Sequence, residues 1–367
     1  MRTVLIDIIA GARPNFMKIA PIIRALDGRK VAGGLLRYRL VHTGQHYDAR
    51  MSGDFFEQLG IPHPDVNLEV GSGTQAEQTA AIMIRYERLL IEARADLCLV
   101  VGDVTSTMAC AITAQKLGIA VAHVEAGIRS GDWRMPEEIN RMATDAVTNW
   151  FFTTSQTAND NLRRAGIGEE RIFFVGNTMI DTLLLNMERL RPPAFWQDLS
   201  LEPGGYLVLT LHRPSNVDEE AHFGRLLTAV RDGTHGLPIV FPVHPRARKV
   251  LEALGINIQG LHFCDPQPYL EFNYLVRHAK AVITDSGGVT EETTVMGVPC
   301  MTLRDSTERP ETVTIGTNEI LGTDPDALRA ALERLFSGGW KKGRIPEKWD
   351  GHTGERIVIV LEGLLPR

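Results

Sequence analysis

Short hydrophobic runs alternate along the chain with longer amphipathic stretches. The runs are rich in β-branched residues and predict strands, whereas the stretches between them predict helices. Alternating strands and helices are typical of parallel sheets covered on both faces, so the sequence predicts an α/β fold. The predicted strands are Thr3–Ile9, Arg37–His42, Leu97–Val101, Ala120–Val124, Phe151–Thr153, Arg171–Val175, Tyr206–Leu211, Pro238–Val243, Leu261–Cys264, Ala281–Thr284 and Pro299–Leu303.

The predicted strands form two series, and a punctuated segment separates them. Arg191-Pro192-Pro193 and Pro203-Gly204-Gly205 interrupt the pattern between the two series, as linkers between domains do. We therefore expect two Rossmann-like, doubly wound domains that face a shared cleft, with residues 1–177 in the first and 178–353 in the second. Gly354–Leu364 predicts one last helix, which could pack on either domain.

Composition narrows the class of protein. The chain has 367 residues, 44% of them hydrophobic and 23% charged, which describes a globular protein large enough for two domains. Its net charge of -6 argues against a nucleic-acid partner, although a small cationic pocket for phosphate is compatible with it. No run approaches the roughly 20 apolar residues of a membrane span, and the first residues lack a signal-peptide pattern. We expect a cytoplasmic protein with no membrane partner.

The four cysteines lack the paired spacing of a disulfide or metal site. Two of them lie in apolar strand-like runs, which predicts reduced, buried thiols. The four are Cys98, Cys110, Cys264 and Cys300.

The first candidate site follows the first strand. Ligands of doubly wound sheets bind beyond the carboxyl ends of the strands, and here the chain turns through Gly11 into a helix that carries Arg13 and Lys18 near its start. Cations at this end of a helix oppose its dipole, and a bound phosphate would offset that cost; two solvated surface cations are the alternative. No strand is followed by G-x-G-x-x-G, so we expect no nicotinamide cofactor.

A second strand–turn–helix segment runs from Thr284 to Glu292. Gly287 and Gly288 let the backbone approach a ligand, and with Ser286 they open a helix whose free N–H groups suit phosphate. Glu292 lies about one turn deeper, placed to accept hydrogen bonds from sugar hydroxyls. The alternative is that Ser286 and Glu292 only cap the helix.

Three carboxylates follow strands of the first domain. Asp103 and Glu125 each end a strand beside a glycine, and Glu137 lies in the first turn of a helix that begins at Pro136. The alternatives are that Asp103 caps the helix that follows it and that Glu137 only compensates the helix dipole. Carboxylates held close together have split pKa values, however, and so suit acid–base chemistry.

Histidine and arginine follow strands of the second domain. His212 and Arg213 end one strand; a lone histidine is usually structural, but the arginine beside it favours a polar ligand. His244 and the loop Asp265–Tyr269 are weaker signals of the same kind. The segment after the last predicted strand carries two arginines, Arg304 and Arg309, whose planar guanidinium groups suit a diphosphate.

Taken in order, these motifs resemble those of the non-hydrolysing UDP-N-acetylglucosamine 2-epimerases. The resemblance runs through nearly the whole chain and ends with Gly354-Glu355-Arg356-Ile357. It implies a GT-B-type fold in which the second domain holds most of the UDP and the final helix, 354–367, crosses back to the first domain. The motifs are Gly11–Lys18, Gly102-Asp103, His123–Arg129, Pro136–Arg141, Gly176-Asn177-Thr178, His212-Arg213, Asp285–Glu292 and Thr307–Glu311.

The resemblance also implies roles for single residues. Asp103, Glu125 and Glu137 match the catalytic carboxylates, and His212 matches the histidine near the leaving phosphate. The UDP-sugar ligands are Gln267 and Phe272 at the uracil, Glu292 at the ribose, Ser286, Gly287, Gly288 and Arg13 at the diphosphate, Arg309 and Lys18 completing the cationic cradle, and Arg213 beside His212. The family further implies a homodimer with no metal and no cofactor.

The implied reaction inverts C2 of a UDP-N-acetylhexosamine, and it explains the carboxylates. The C2 proton is not adjacent to a carbonyl, so enolisation is not possible. Elimination of UDP to a 2-acetamidoglucal, followed by re-addition, is the accessible route.

The sequence departs from many relatives at Asn15, where they have Glu, and at Val104, where they have Thr. Residues 43–48 differ from bacterial members activated by a second UDP-N-acetylglucosamine, which argues against such activation here.

Other functions give different expectations. A relative acting on a UDP sugar modified at C3 or C6 would share most of these motifs. A hydrolysing 2-epimerase would trap the glucal with water, but its family usually departs from the Arg13-Pro14 pattern. A GT-B glycosyltransferase would need an acceptor pocket, and a non-catalytic nucleotide-sugar sensor should lack the three carboxylates, all of which are present.

Overall fold

The computed structural model describes residues 2–44, 58–254 and 259–365. These form two compact units: unit 1 contains Met1–Leu185 and Glu347–Arg367, and unit 2 contains Asn186–Pro346. Each unit is a parallel sheet wound with helices, which confirms the predicted fold class. Gln45–Asp48, most of the segment that bears on activation, lie outside the described residues.

The sheet of unit 1 has seven parallel strands in the order β3-β2-β1-β4-β5-β6-β7. Chain order reverses between β1 and β4, which makes this edge of the sheet a topological switch point. The strands are β1 Val4–Ala10, β2 Leu36–His42, β3 Val66–Asn67, β4 Leu97–Val101, β5 Ala120–Val124, β6 Trp150–Thr153 and β7 Ile172–Phe174. The helices are α1 Arg13–Val31, α2 Gln75–Glu92, α3 Thr105–Lys116, α4 Pro136–Ala146, α5 Gln156–Arg164 and α6 Thr178–Asn186, with α14 Thr353–Leu364 returning later in the chain.

The sheet of unit 2 has six parallel strands in the order β10-β9-β8-β11-β12-β13. Its switch point lies between β8 and β11. The strands are β8 Leu207–Thr210, β9 Ile239–Pro242, β10 Leu261–Cys264, β11 Ala281–Thr284, β12 Cys300–Thr302 and β13 Asn318–Ile320. The helices are α7 Pro214–Val217, α8 Glu220–Gly233, α9 Pro245–Leu254, α10 Tyr269–His278, α11 Gly287–Met296, α12 Pro310–Thr314 and α13 Pro325–Phe336.

The strands of unit 2 are hydrophobic along their whole length because both faces of the sheet are covered. Leu209 and Ile283 pack in one core cluster, whereas their neighbours Val208 and Val282 pack in another. Successive side chains of a strand point to opposite faces, so a strand buried on both sides needs apolar residues at every position. This explains why the strands appear in the sequence as continuous hydrophobic runs.

Helix α14 completes unit 1 by packing on α1. The backbone N–H of Gly354 donates to Asp181 on α6 at 2.8 Å, and the Thr182 hydroxyl donates to the Met17 carbonyl at 2.6 Å. The first contact ties α14 to α6, and the second ties α6 to α1. The units divide after Leu185 and Pro346, whereas the sequence predicts boundaries at 177/178 and 353/354.

All four cysteines are free, and Cys98, Cys110 and Cys300 are buried. This agrees with the reduced thiols that their spacing predicts. No helix in the described part of the chain is long and apolar enough to cross a membrane.

Candidate active site

The motifs singled out in the sequence lie at the two switch points. In unit 1 the loops after β1 and β4 carry Gly11 and Asp103, and in unit 2 the loops after β8 and β11 carry His212 and Ser286. The carboxyl ends of parallel strands meet at one edge of a sheet. Each unit therefore gathers its own candidate residues.

Asn15 ties two loops of unit 1 together. Its side-chain oxygen accepts hydrogen bonds from the backbone N–H groups of Gly11 and Ala12 at 3.0 and 2.9 Å, and its amide nitrogen donates to the Val101 carbonyl at 3.1 Å. A carboxylate could accept the first two bonds but could not donate the third. The departure from Glu at this position is therefore matched to the local geometry.

Glu125 and Lys18 form a buried ion pair beside Gly102. Glu125 has a left-handed backbone, with φ of 70°, and its N–H donates to the Phe152 carbonyl at 3.0 Å. A Cβ at Gly102 would lie 2.8 Å from Lys18 Nζ and 3.2 Å from Glu125 Oε2. Gly102 itself has φ of 67°, a left-handed conformation that favours glycine, which agrees with the Gly102-Asp103 motif.

Two side chains of helix α4 hold Asp103 in place. Its carboxylate accepts a hydrogen bond from the guanidinium of Arg141, and its carbonyl accepts from the Asn140 amide at 2.9 Å. Arg141 also donates to Glu138 at 2.8 Å. Asp103 is thus fixed by a cation rather than by capping the helix that follows it, since α3 has no side-chain cap.

The neighbouring acids Glu137 and Glu138 differ in their surroundings. Glu138 is buried and accepts from the backbone N–H groups of Ser130 and Gly131, both at 3.0 Å. Burial raises the pKa of Glu138, but these bonds and Arg141 outweigh it, so that the pKa is lowered. Glu137 is half-buried and has no ion pair within the described ranges. Glu138 therefore anchors a loop, whereas Glu137 is left available.

His123 links the two strand ends at the centre of this site. One ring nitrogen lies 2.8 Å from the Gly102 carbonyl and the other 2.8 Å from Asp145. Asp145 also bonds the Gly127 N–H at 3.1 Å and Arg129 at 2.7 Å. Burial raises the pKa of Asp145, but His123 and Arg129 outweigh it and lower the pKa. This network, which sequence reasoning did not assign, holds the loops after β4 and β5.

In unit 2, Asp285 organises the loop that carries His212. The buried carboxylate accepts from the backbone N–H groups of His212 and Arg213 at 2.9 and 2.8 Å and from the Asn216 amide at 3.0 Å. The His212 ring lies 2.6 Å away through Nδ1. Arg213 also donates through Nε to the Asp285 carbonyl at 3.1 Å.

Helix α11 presents its first turn at this switch point. Ser286 holds the N-cap position but makes no side-chain cap hydrogen bond, and Gly287 and Gly288 are half-buried. Arg304 lies close to Gly287: a Cβ at Gly287 would lie 3.9 Å from the Arg304 guanidinium. Arg304 itself is paired with Glu308 at 2.8 Å. The capping alternative for Ser286 is thus not what the structure shows.

Two acids in the second turn of α11 are buried. Glu291 pairs with Arg309 at 2.6 Å, and Glu292 accepts from the Asn273 amide at 3.3 Å. Burial raises the pKa of Glu292 to about 7, and the charge of Glu291 adds to this rise. Glu292 therefore does not cap the helix.

The remaining predicted ligands are Phe272, Gln267 and Arg13. Phe272 is partly buried against a core cluster of unit 2, and the Gln267 amide donates to the Asp265 carbonyl at 2.7 Å. Arg13 begins α1, but its side chain is outside the described part of the structure. Within residues 2–44, 58–254 and 259–365, no three histidine, cysteine or acidic side chains group as metal ligands.

Sequence reasoning missed residues that hold others in place. Arg141 and Asp145 follow Glu137 at helical spacings of four and eight residues, so their common face of α4 was the available signal. Asp285 and Asn273 gave no such signal, because their partners come from distant parts of the chain.

Two doubly wound units, each with polar loops at its switch point, define a twin Rossmann-like protein of the GT-B type. A model of the family described as UDP-N-acetylglucosamine 2-epimerase matches residues 32–362. The chain belongs to that family, and it is an isomerase.

Individual relatives agree with this assignment. The UDP-N-acetylglucosamine 2-epimerase of Methanocaldococcus jannaschii is 39% identical over 97% of this chain and 98% of its own length. The UDP-2,3-diacetamido-2,3-dideoxy-D-glucuronate 2-epimerase of Pseudomonas aeruginosa is 38% identical over 92% and 97%. A crystal structure of the M. jannaschii enzyme in complex with UDP-GlcNAc and UDP matches with a TM-score of 0.85 and 38% identity, over 98% of this chain and 99% of that one.

Proposed function

We propose that the chain interconverts UDP-N-acetylglucosamine and UDP-N-acetylmannosamine by eliminating and re-adding UDP. One observation carries the proposal: unit 1 places two strand-end carboxylates, each with its own cation, at a single switch point. The proposal is supported by the M. jannaschii relative, which is named a UDP-N-acetylglucosamine 2-epimerase and has a crystal structure in complex with UDP-GlcNAc and UDP. The homodimer and the cytoplasmic location expected from the sequence stay predictions.

The reaction needs only proton transfer and a leaving group. A base takes the proton from C2, the electrons of that C–H bond form the C1–C2 double bond, and the C1–O bond to UDP breaks. UDP then returns to C1 of the 2-acetamidoglucal while C2 is protonated on the opposite face. The two faces of C2 require more than one proton-handling group.

The carboxylates of unit 1 differ in the cations that they face. Asp103 faces the guanidinium of Arg141, which keeps its charge in proteins. Glu125 faces the ammonium of Lys18. Glu137, which is half-buried and without an ion pair in the described chain, is the third candidate. The pairing with Glu125 also favours a role for Lys18 at the carboxylate rather than in the phosphate cradle.

We assign the nucleotide to unit 2. The free N–H groups after Ser286, together with Gly287 and Gly288, suit the diphosphate, and Arg309 and Arg304 supply positive charge. Glu292 is placed for the ribose. His212 and Arg213 would stabilise UDP as it departs. Gln267 and Phe272 are the proposed contacts of the uracil, and Arg13 of the diphosphate.

A second candidate substrate is a UDP sugar modified at C3 or C6. The P. aeruginosa relative acts, by its name, on a diacetamido glucuronate, and its identity to this chain, 38%, nearly equals that of the M. jannaschii enzyme, 39%. Overall identity therefore does not separate the two sugars.

Proton NMR of the reaction in deuterated water tests the proposal. The purified chain, dialysed against EDTA and given no NAD, should convert UDP-N-acetylglucosamine to UDP-N-acetylmannosamine with deuterium at C2, and Asp103→Asn should not. Retention of the original hydrogen would exclude elimination, and a strict need for metal or NAD would exclude this site. Free N-acetylmannosamine would show hydrolysis, sugar transfer to an acceptor would show a glycosyltransferase, and turnover of the diacetamido glucuronate alone would favour the second candidate.

A further inference from the structure

The carboxylate of Asp285 uses its two oxygens differently. One oxygen accepts from the backbone N–H groups of His212 and Arg213 at 2.9 and 2.8 Å and from the Asn216 amide at 3.0 Å. The other accepts more weakly from the same His212 N–H, at 3.2 Å, and lies 2.6 Å from Nδ1 of the His212 ring. Asp285 is fully buried, whereas the His212 side chain is 41% exposed. The pair therefore joins an interior anion to an accessible imidazole.

Asp285 is ionised at neutral pH. Burial raises its pKa, but the hydrogen bond and charge of His212 and the other donors outweigh it, so the pKa is lowered. An ionised carboxylate only accepts hydrogen bonds. Nδ1 of His212 must then carry a proton, which leaves Nε2 as the ring nitrogen that does not contact Asp285.

We propose that Asp285 is a positioning residue, which holds the Nδ1–H of His212 and thereby directs Nε2 to the departing diphosphate. The inference rests on the proposed function. As the C1–O bond breaks, negative charge grows on UDP, and a ring with a proton on each nitrogen, Nδ1–H on the buried carboxylate and Nε2–H toward the diphosphate, donates to that charge. No bond to the protein is made or broken in this step. A fixed donor aimed at developing charge is an effective electrostatic catalyst.

The charged and titratable groups around the ring are few. The ring of His244 lies 5.7 Å from that of His212, and its pKa is lowered, first by burial and then by the charge of His212. Arg213 donates to the Asp285 carbonyl and lies 4.0 Å from Glu308. Among these groups Asp285 is the anion in contact with the ring, so it determines which nitrogen is protonated.

The variant Asp285→Asn separates positioning from loop support. The amide oxygen can still accept from the two N–H groups and from Asn216, which maintains the loop. The amide nitrogen then faces Nδ1 as a donor, so His212 must adopt the neutral tautomer with its proton on Nε2. The ring keeps an Nε2–H but loses its positive charge and the carboxylate that orients it, while the loop keeps its hydrogen bonds.

Nitrogen NMR of the full chain with 15N-labelled histidine reads the tautomer directly, with His212→Asn assigning the signal. We expect a protonated Nδ1 in the wild-type protein and the neutral Nε2–H form in Asp285→Asn. The variant should lose at least about tenfold in kcat, the usual scale for a residue that orients a reacting one, while KM changes little. The double variant His212→Asn/Asp285→Asn should be no slower than His212→Asn alone.

Asp218→Asn is the matched control, because this exposed carboxylate pairs with Arg246 instead; it should leave the His212 signal and turnover unchanged. An unprotonated Nδ1 in the wild-type protein would overturn the proposal, and that measurement needs no variant to fold. Losses that add in the double variant would overturn it as well. Because the spectrum is read without turnover, a missing epimerase activity would count against the proposed function and not against the His212–Asp285 pair.

Discussion

At the scale of single residues, charge partners distinguish acids that look alike in the sequence. Glu137 and Glu138 are neighbours at the start of α4, yet the Glu138 carboxylate already accepts hydrogen bonds from two backbone N–H groups and from Arg141. Asp103 and Glu125 each face one cation and occupy loops at the switch point. Asp103, Glu125 and Glu137 are therefore the acids that we propose for the chemistry.

Amide replacement of these three acids should separate chemistry from binding. For Asp103→Asn, Glu125→Gln and Glu137→Gln we expect turnover to fall by at least about a hundredfold, the scale for a positioned acid or base, with UDP affinity little changed. Arg309→Ala should instead weaken UDP binding by roughly 1.5–3 kcal/mol, the range for a charge-assisted hydrogen bond.

Calorimetric titration with UDP, set beside epimerisation rates, makes this comparison. Because Arg309 also pairs with Glu291, circular dichroism should first show that Arg309→Ala is folded. Near-normal turnover in the carboxylate variants, or a loss of UDP affinity as large as that of Arg309→Ala, would show that the acids are structural.

Glu292 should make the stability of unit 2 depend on pH. Its pKa rises from 4.5 to about 7 in the folded chain, so between these values the folded state binds more protons than the unfolded state. Stability should therefore fall as pH rises from about 4.5 to 7 and level off above, by about 3 kcal/mol at most. Urea unfolding of the wild-type protein and Glu292→Gln across this range measures the difference. An identical pH dependence in both proteins would contradict the prediction.

At the scale of elements, two glycines of α14 have opposite surroundings. A Cβ at Gly354 would lie 2.5 Å from the Pro21 carbonyl of α1, whereas a Cβ at Gly363 would meet nothing within 4 Å. Gly354→Ala should therefore destabilise unit 1 by about 1–3 kcal/mol, as overpacking does. Gly363→Ala should be neutral or stabilising by up to about 1 kcal/mol, because alanine favours the helix.

Thermal unfolding of the two variants beside the wild-type protein gives the comparison. Equal melting temperatures for Gly354→Ala and Gly363→Ala would mean that α14 does not pack on α1 as described.

Elements were predicted from the sequence where burial is complete. Every predicted strand has a counterpart in the structure, because strands covered on both faces are continuous hydrophobic runs. Val66–Asn67 and Asn318–Ile320 were missed: both are very short strands at the edge of a sheet, where the pattern is too brief to be read. The motifs after strands were visible in the sequence, but the supporting roles of Asp285 and Asn273 depend on contacts far along the chain.

At the scale of the whole molecule, both units use the same strand order around a switch point. The sequence showed two series of strands but not this shared order, because pairing between strands is set by long-range packing. The boundary residues also depended on such packing: α6 joins unit 1 through Met17 and Gly354, contacts that no local pattern records.

Helix α14 has a consequence for the order in which the protein is made. Unit 1 is discontinuous, since Glu347–Arg367 follow the whole of unit 2 in the chain. A growing polypeptide on the ribosome will have all of Asn186–Pro346 before it has the helix that covers Pro21 and Asp181. Domains fold as units during synthesis. Unit 1 is therefore translated first but completed second, and the surface of α1 stays uncovered while unit 2 folds.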